Sequence, residues 1–195
     1  MLGLLKPTDP AWVQAAEADL AGLLSDHAHC EIKAAQSALS LVARHGGEAP
    51  QLAEPLGELA REESKHFLEV QRRLEQRGGS LGHPEKDEYV VALRTAAKHN
   101  RHDGVPVLLD RLLICALIEG RSCERFRLLS EHLGDGGLRA FYRGLMASEA
   151  RHFTLFSNLA SDCFGEQATR ERFAPLASRE ADIADRLPLG PTVHG

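Results

Sequence analysis

The sequence predicts an all-α protein, a four-helix bundle with one long crossover and extra helices in the crossover and in the C-terminal tail. Three observations predict it. Ala, Leu, Glu and Arg are abundant, β-branched residues are scarce, and no alternation of period two persists. Glycine and proline punctuate the chain sparsely and leave four long segments of helical period. Two of the links between these segments are short turns, whereas the third, Gly78 to Val105, is about 28 residues and can run the length of a bundle.

The first segment runs from about Pro10 to His45, where Thr8 or Asp9 can cap it, Pro10 suits a first turn, and Gly46-Gly47 stops it. The second runs from about Pro50 to Arg77 and stops at Gly78-Gly79. Inside the crossover, Glu85 to Lys98 forms a helix of its own. The third segment starts near Pro106, after Asp103-Gly104, and ends at Gly134-Asp135-Gly136-Gly137; the fourth runs from Leu138 to about Phe164. Segments one and two form one antiparallel hairpin, and three and four another. After Phe164, EQATRERFAPLASREADIADRL is helical and PLGPTVHG is loose. The expectation is a single domain over 1–195, with its core at about 10–164 and a helical tail at 165–195.

The 195 residues are 43% hydrophobic and 26% charged, and no stretch approaches the roughly 20 apolar residues of a membrane span. A chain of this length builds a core without disulfides or a structural metal, so a metal it holds is there for chemistry. The net charge of -5 argues against a protein that coats nucleic acid indiscriminately, but leaves room for a local basic patch. Cys30, Cys115, Cys123 and Cys163 make no C-x-x-C pair, and the opening MLGLLKPTDPAW lacks the regions of a signal peptide, which together point to a cytoplasmic protein.

The buried face of each long helix carries polar groups where a core would be apolar. Steps of three and four trace Leu20, Leu23, Leu24, His27, Glu31, Ala35, Ala38 and Leu41 on the first, and Leu52, Leu56, Leu59, Glu63, His66, Val70 and Leu74 on the second. The third offers Leu109, Leu112, Ala116, Glu119, Cys123, Phe126 and Leu133; the fourth offers Phe141, Leu145, Glu149, His152, Phe156 and Leu159. A lone carboxylate in such a stripe costs several kcal/mol to desolvate or takes up a proton. Four at one level need a common explanation. Two stripes also place a histidine three residues after the glutamate, Glu63/His66 and Glu149/His152, about one turn apart on one face, so that both side chains reach the same ion. One Glu from each of two helices and a Glu-x-x-His from each of the others is the ligand set of carboxylate-bridged di-iron or di-manganese bundles.

Spacing supports the match. Glu31 lies 15 residues before Gly46 and Glu119 lies 15 before Gly134, which puts both at one depth, whereas Glu124 lies only 10 before Gly134 and points about 140° away. Glu119 is therefore the preferred ligand, with Glu124 retained as a rival or as a group that supports a ligand, and His27, one turn before Glu31, is read as a neighbour of the ligands. Arg121, Arg125 and Arg127, like Arg72, Arg73 and Arg77, read as solvated faces. Imidazole with several carboxylates favours iron or manganese over a zinc thiolate site. In the expected site Glu63 and Glu149 bridge two metals, Glu31 and Glu119 are terminal, and His66 and His152 supply one nitrogen each. No catalytic residue is expected beyond this centre.

The segments Asp26-His-Ala-His-Cys-Glu-Ile-Lys-Ala-Ala35, Leu59-Ala-Arg-Glu-Glu-Ser-Lys-His-Phe67, Ile118-Glu-Gly-Arg-Ser-Cys-Glu-Arg-Phe126 and Ser148-Glu-Ala-Arg-His-Phe153 resemble those of the tRNA 2-methylthio-isopentenyladenosine hydroxylase family, as does Leu5-Lys-Pro-Thr8 followed by Trp12. The resemblance covers most of residues 4–160, and Gly120 stands where that family leads one to expect alanine. It implies a ferritin-like di-iron fold and a monooxygenase that uses dioxygen to hydroxylate the isopentenyl side chain of a modified adenosine beside the tRNA anticodon. Glu31, Glu63, His66, Glu119, Glu149 and His152 are then the ligands of two iron ions. The chain shows no flavin or nicotinamide motif, so the electrons come from an external reductase or a ferredoxin or flavodoxin system. Arg94, Lys98 and Arg101 in the crossover, with His99 and His102, are candidates for contact with tRNA phosphates. The other readings of such a centre are iron oxidation and storage in a hollow cage, or a rubrerythrin-like peroxidase, although the rubredoxin module is missing. A monomer or dimer is expected rather than a cage.

Overall fold

The structure is a computed structural model that describes residues 2–102 and 104–194. Among the described residues there are seven α-helices and no strand: α1 (Ala11–Ala18), α2 (Leu20–His45), α3 (Ala53–Glu75), α4 (Glu88–His99), α5 (Val107–His132), α6 (Gly136–Phe164) and α7 (Glu166–Ala184). A 3-10 turn, Pro50–Leu52, leads into α3. Asp103, expected to precede the third long helix, lies outside the described residues. The chain divides into two compact units, one of residues 14–86 and 190–193, the other of residues 2–13, 87–189 and 194.

The first unit is the hairpin of α2 and α3. The expected continuous helix from Pro10 is interrupted at Asp19, whose φ of -141° is not helical and whose side chain accepts the Gly22 amide at 2.8 Å. Asp19 is thus an N-cap, and α2 starts afresh behind it. At the end of α3, Gly78 adopts φ +73° and the Gly79 amide reaches back to Leu74 O at 3.0 Å, a Schellman closure that needs glycine in the left-handed region. The chain then runs back along α2, where His29 Nε2 donates to Gly82 O at 2.8 Å and Lys33 Nζ to Glu85 O at 3.1 Å.

The second unit is the hairpin of α5 and α6, with α4 and α7 packed on it. Helix α5 is buried on nearly every side, which overturns the reading of its arginines as a solvated face. Of the three, Arg121 is 0% and Arg125 4% exposed, while Arg127 reaches solvent. Arg121 Nε donates to Glu180 Oε1 at 2.9 Å and its Nη1 to Thr8 Oγ1 at 3.1 Å; Arg125 lies over the Trp12 ring at 4.7 Å. Burial pulls the Arg125 guanidinium down to about 10. Against Arg121, burial works in the same direction, but Glu180 and Tyr89 outweigh it and hold this cation above its ordinary value. Burial, then Glu180, pushes the Tyr89 phenol well above its usual range, and Tyr89 Oη donates to Glu180 Oε1 at 3.0 Å.

Arg172 of α7 closes the C-terminus of α4. Its Nη1 and Nη2 donate to the carbonyls of Asn100 and Ala97 at 2.8 and 3.0 Å, while its Nε donates to the buried Asp110 at 2.6 Å. These carbonyls have no partner within their own helix, and a cation is favoured at that end of the dipole. The C-terminal residues, expected to be loose, are anchored. Within the first unit the Val193 amide donates to Asp26 at 2.6 Å; within the second, His194 bonds Ser122 Oγ at 2.9 Å and Asp87 Oδ2 at 3.1 Å and stacks on Tyr89.

Candidate metal centre

Every residue of the stripes traced on α3 and α6 is buried, including Glu63 at 1%, His66 at 7%, Glu149 at 3% and His152 at 3%. On α2 and α5, Glu31 and Glu119 are buried as well. The i, i+3 spacing does what a helix dictates: His66 Nδ1 lies 3.0 Å from Glu63 Oε2.

In the first unit, Glu31, Glu63 and His66 each offer one ligand atom, all within 4.8 Å of one another. His66 Nδ1 lies 3.9 Å from Glu31 Oε2, and the fully buried His27 donates through Nε2 to the other Glu31 oxygen at 2.7 Å. That bond orients the Glu31 carboxylate from behind. In the second unit, Glu119 and His152 also offer atoms within 4.8 Å, with His152 Nδ1 3.9 Å from Glu119 Oε2. Glu149 is buried one turn before His152 on the same face.

Glu124 is engaged elsewhere. It accepts the Thr8 amide at 3.1 Å together with the Thr8 hydroxyl, and Arg121 Nη1 at 3.2 Å, so it ties the N-terminal arm to α5. Gly120 has a local reason: a Cβ there would meet Leu2 O at 3.2 Å and Phe153 at 3.4 Å, and the missing side chain lets the same arm pass. Arg94 and Lys98 are exposed on α4, whereas Arg101 is half-buried and donates through Nε to Asp110 Oδ2 at 2.7 Å. Sequence reasoning missed Arg172, Glu180 and His194. Their partners lie 59 to 107 residues away along the chain, beyond any local pattern.

Within each unit the grouping is of oxygen and nitrogen donors, with no thiolate among them, and such donors suit iron or manganese. The three donors of the first unit stand close enough to share one ion. The protein therefore has buried groups able to bind metal.

Comparison with known proteins agrees. The family model described as tRNA-(MS[2]IO[6]A)-hydroxylase (MiaE) matches residues 2–195. A protein named tRNA 2-(methylsulfanyl)-N(6)-isopentenyladenosine(37) hydroxylase from Pseudomonas putida KT2440 is 42% identical over 170 residues, covering 87% of this chain and 80% of its own. A protein of the same name from Salmonella typhimurium LT2 is 30% identical over 226 residues, 91% of this chain and 82% of its own. Among solved structures, Protein 43 with aldehyde deformylating oxygenase activity from Synechococcus is similar at a TM-score of 0.89 and 38% identity, covering 98% of this chain and 95% of its own. The fold is thus of the all-α, ferritin-like class, and the names of the family model and relatives favour the hydroxylase reading over a storage cage or a peroxidase. With the family model spanning the chain and two relatives at or above 30% identity, the chain belongs to the tRNA-(MS[2]IO[6]A)-hydroxylase (MiaE) family.

Proposed function

We propose that the chain is a di-iron, dioxygen-dependent monooxygenase that hydroxylates the isopentenyl side chain of 2-methylthio-isopentenyladenosine in tRNA. The observation that carries this reading is the pair of buried Glu-x-x-His motifs, each joined by one more buried glutamate from the preceding helix of its hairpin. Glu31, Glu63, His66, Glu119, Glu149 and His152 would hold two iron ions, each hairpin contributing two carboxylates and one imidazole. Four carboxylates balance the charge of two ferrous ions, and the loaded protein would carry a net charge of about -1. The iron pair, when bound, supplies the dioxygen chemistry that no side chain can.

The chain's own groups set the conditions for that chemistry. His27 Nε2–H holds the Glu31 carboxylate in place, a support that keeps a ligand pre-oriented. Leu23, Leu24, Leu56 and Leu59 in the first unit, and Leu112, Ala116, Phe141 and Leu145 in the second, are buried above and below the polar level of the stripes and exclude water from it. Hydroxylation of a C–H bond with one dioxygen consumes two electrons and two protons and releases one water. An external ferredoxin, flavodoxin or reductase delivers the electrons. Arg94 and Lys98, exposed on α4, are offered as tRNA contacts. Arg101 belongs to the same group through its remaining donors, since its Nε is committed to Asp110. The reaction belongs in the cytoplasm with its tRNA substrate, and the working form is a monomer or dimer. No helix among the described residues is long and apolar enough to cross a membrane.

Mass spectrometry of tRNA nucleosides from cells with and without the gene tests the reading. The hydroxylated nucleoside should vanish on deletion and return with the wild-type gene, and its persistence would overturn the assignment. Anaerobic titration should saturate near two irons per chain, and Glu149→Ala should lower that number. The aldehyde activity of the Synechococcus protein makes an aldehyde the natural control substrate, and this chain is expected not to turn it over.

A further inference from the structure

We propose that the outer face of α6 is where the tRNA backbone docks, with Arg143 and Arg151 as phosphate contacts and Gly144 as the point of closest approach. The inference rests on the reading of the chain as a tRNA hydroxylase and extends it to the place where the RNA lies.

Between Asp135 and Asp162 the sequence holds Arg139, Arg143 and Arg151 but a single acid, Glu149. Glu149 is buried, whereas Arg143 and Arg151 are exposed, and Ala140, Gly144 and Ala147 share their stripe. From Gly136 to Ser161 the solvent side of α6 is therefore cationic; its exposed acid, Asp162, lies three turns beyond Arg151 near the helix C-terminus. Arg143 and Arg151 are two turns apart, about 12 Å along the axis, roughly the rise of three to four stacked nucleotides of one strand. Arg151 is held along the helix by Ala147 O at 3.2 Å and Ser148 Oγ at 2.9 Å, which orders its planar fork before any phosphate arrives. It also directly precedes His152, so a backbone bound there follows the helix that carries two of the proposed ligands.

Arginines at the α4–α7 cleft and on α5 sit beside acids. The open cleft of about 420 Å³ between α4 and α7 is lined by His99, Arg179 and Arg186, but equally by Glu88 and Asp182. Arg179 pairs with Asp182 at 3.7 Å, and Arg127 on α5 pairs with Glu131 at 2.9 Å. A phosphate chain meets repulsion at those places and none from the stretch of α6 between Arg139 and Arg151.

Gly144 is an observation independent of charge. It lies in the middle of α6, and a Cβ built on it meets nothing within 4 Å. Glycine in a helix interior costs about 1 kcal/mol relative to alanine. The packing of the protein gives no reason to accept that cost. A bare strip of Ala140, Gly144 and Ala147 between arginines lets a ribose–phosphate chain come close to the helix backbone. Gly57 on α3 is equally open but stands between Glu54 and Glu58, where RNA would be repelled.

The test is tRNA carrying 2-methylthio-isopentenyladenosine, titrated against the iron-loaded full chain over a range of salt concentrations. Arg143→Gln/Arg151→Gln should weaken binding roughly tenfold and make the salt slope shallower by about 1.4, at 0.7 per phosphate contact on single-stranded RNA. Arg143→Lys/Arg151→Lys should restore most of the slope. Gly144→Gln should weaken binding with the slope unchanged, and since it raises helix propensity its effect is not one of unfolding. The control of equal charge loss, Arg179→Gln/Arg186→Gln, should bind like wild type. Binding by Arg143→Gln/Arg151→Gln within twofold of wild type, or an equal loss in the control, would overturn the proposal. So would normal tRNA binding with turnover lost only when a protein donor replaces a chemical reductant, which would assign the face to an acidic electron-transfer protein. If wild type itself binds no tRNA, the hydroxylase reading fails first and this inference falls with it.

Discussion

Glu63→Gln should stabilise the metal-free protein and weaken its response to iron. Glu63 is 1% exposed, and His66 Nδ1 lies 3.0 Å from it, with the Glu31 carboxylate also close by. Desolvating such a carboxylate costs several kcal/mol, of which one hydrogen bond to an imidazole repays only part. Glutamine keeps the shape and still accepts from Nδ1 but carries no charge. The net gain to the metal-free protein is about 2 kcal/mol, or a rise of about 4–8 °C in Tm for a chain of this size. Iron reverses the order. A ligand at a hundred times its Kd adds about 2.7 kcal/mol to the native state, and loss of one carboxylate removes most of that increment. Circular-dichroism melts under anaerobic conditions, with and without ferrous iron, measure both effects. A variant that melts below wild type without iron, yet gains as much from iron, would refute the claim that Glu63 is kept for metal at the expense of stability.

The His27→Phe variant keeps the buried ring but deletes the donor to Glu31, so iron affinity should fall about 10–100-fold with the fold intact, as read by competition with a chelator. Arg172→Met leaves Asp110 with only the Arg101 contact and uncovers two carbonyls of the α4 terminus; urea unfolding should show a loss of about 3 kcal/mol, and a loss below 1 kcal/mol would contradict the geometry. Tyr89 should remain protonated in the native protein when the pH passes its ordinary value of 10.0, so tyrosinate absorbance should rise by one residue's worth only on unfolding. Because the folded state holds this proton more tightly, the stability it contributes is complete below pH 10.0 and declines above it, as the unfolded chain ionises first.

Much of the fold is legible in the chain because helices are local. Gly46-Gly47, Gly78-Gly79 and the Gly134 to Gly137 cluster mark the ends of the long helices to within a few residues, and the apolar steps of three and four identify the faces that become buried. The candidate site shares this property. Residues three apart on one helix stand one turn apart in any fold, so His66 next to Glu63 needs no tertiary information. The break at Asp19 was a local signal, an N-cap residue, outweighed by the apolar period running through it.

What escaped the pattern depends on distant partners. Arg121 and Arg125 have the spacing of a solvated face, and partners such as Thr8, Trp12, Glu124 and Glu180 make them an interior network. Charge alone does not say whether an arginine meets water or a carboxylate 59 residues away. His194 shows the same at the chain end, where Pro and Gly predict a loose tail while Ser122 and Asp87 hold the ring. By itself the sequence determined the helices, their buried stripes and the kinds of donor on each, because backbone periodicity and hydrophobic burial are properties of neighbouring residues. Tertiary structure alone decided which charges are interior and that the Glu124 carboxylate ties the N-terminal arm to α5, because a buried charge is tolerated only where chain folding brings its partner.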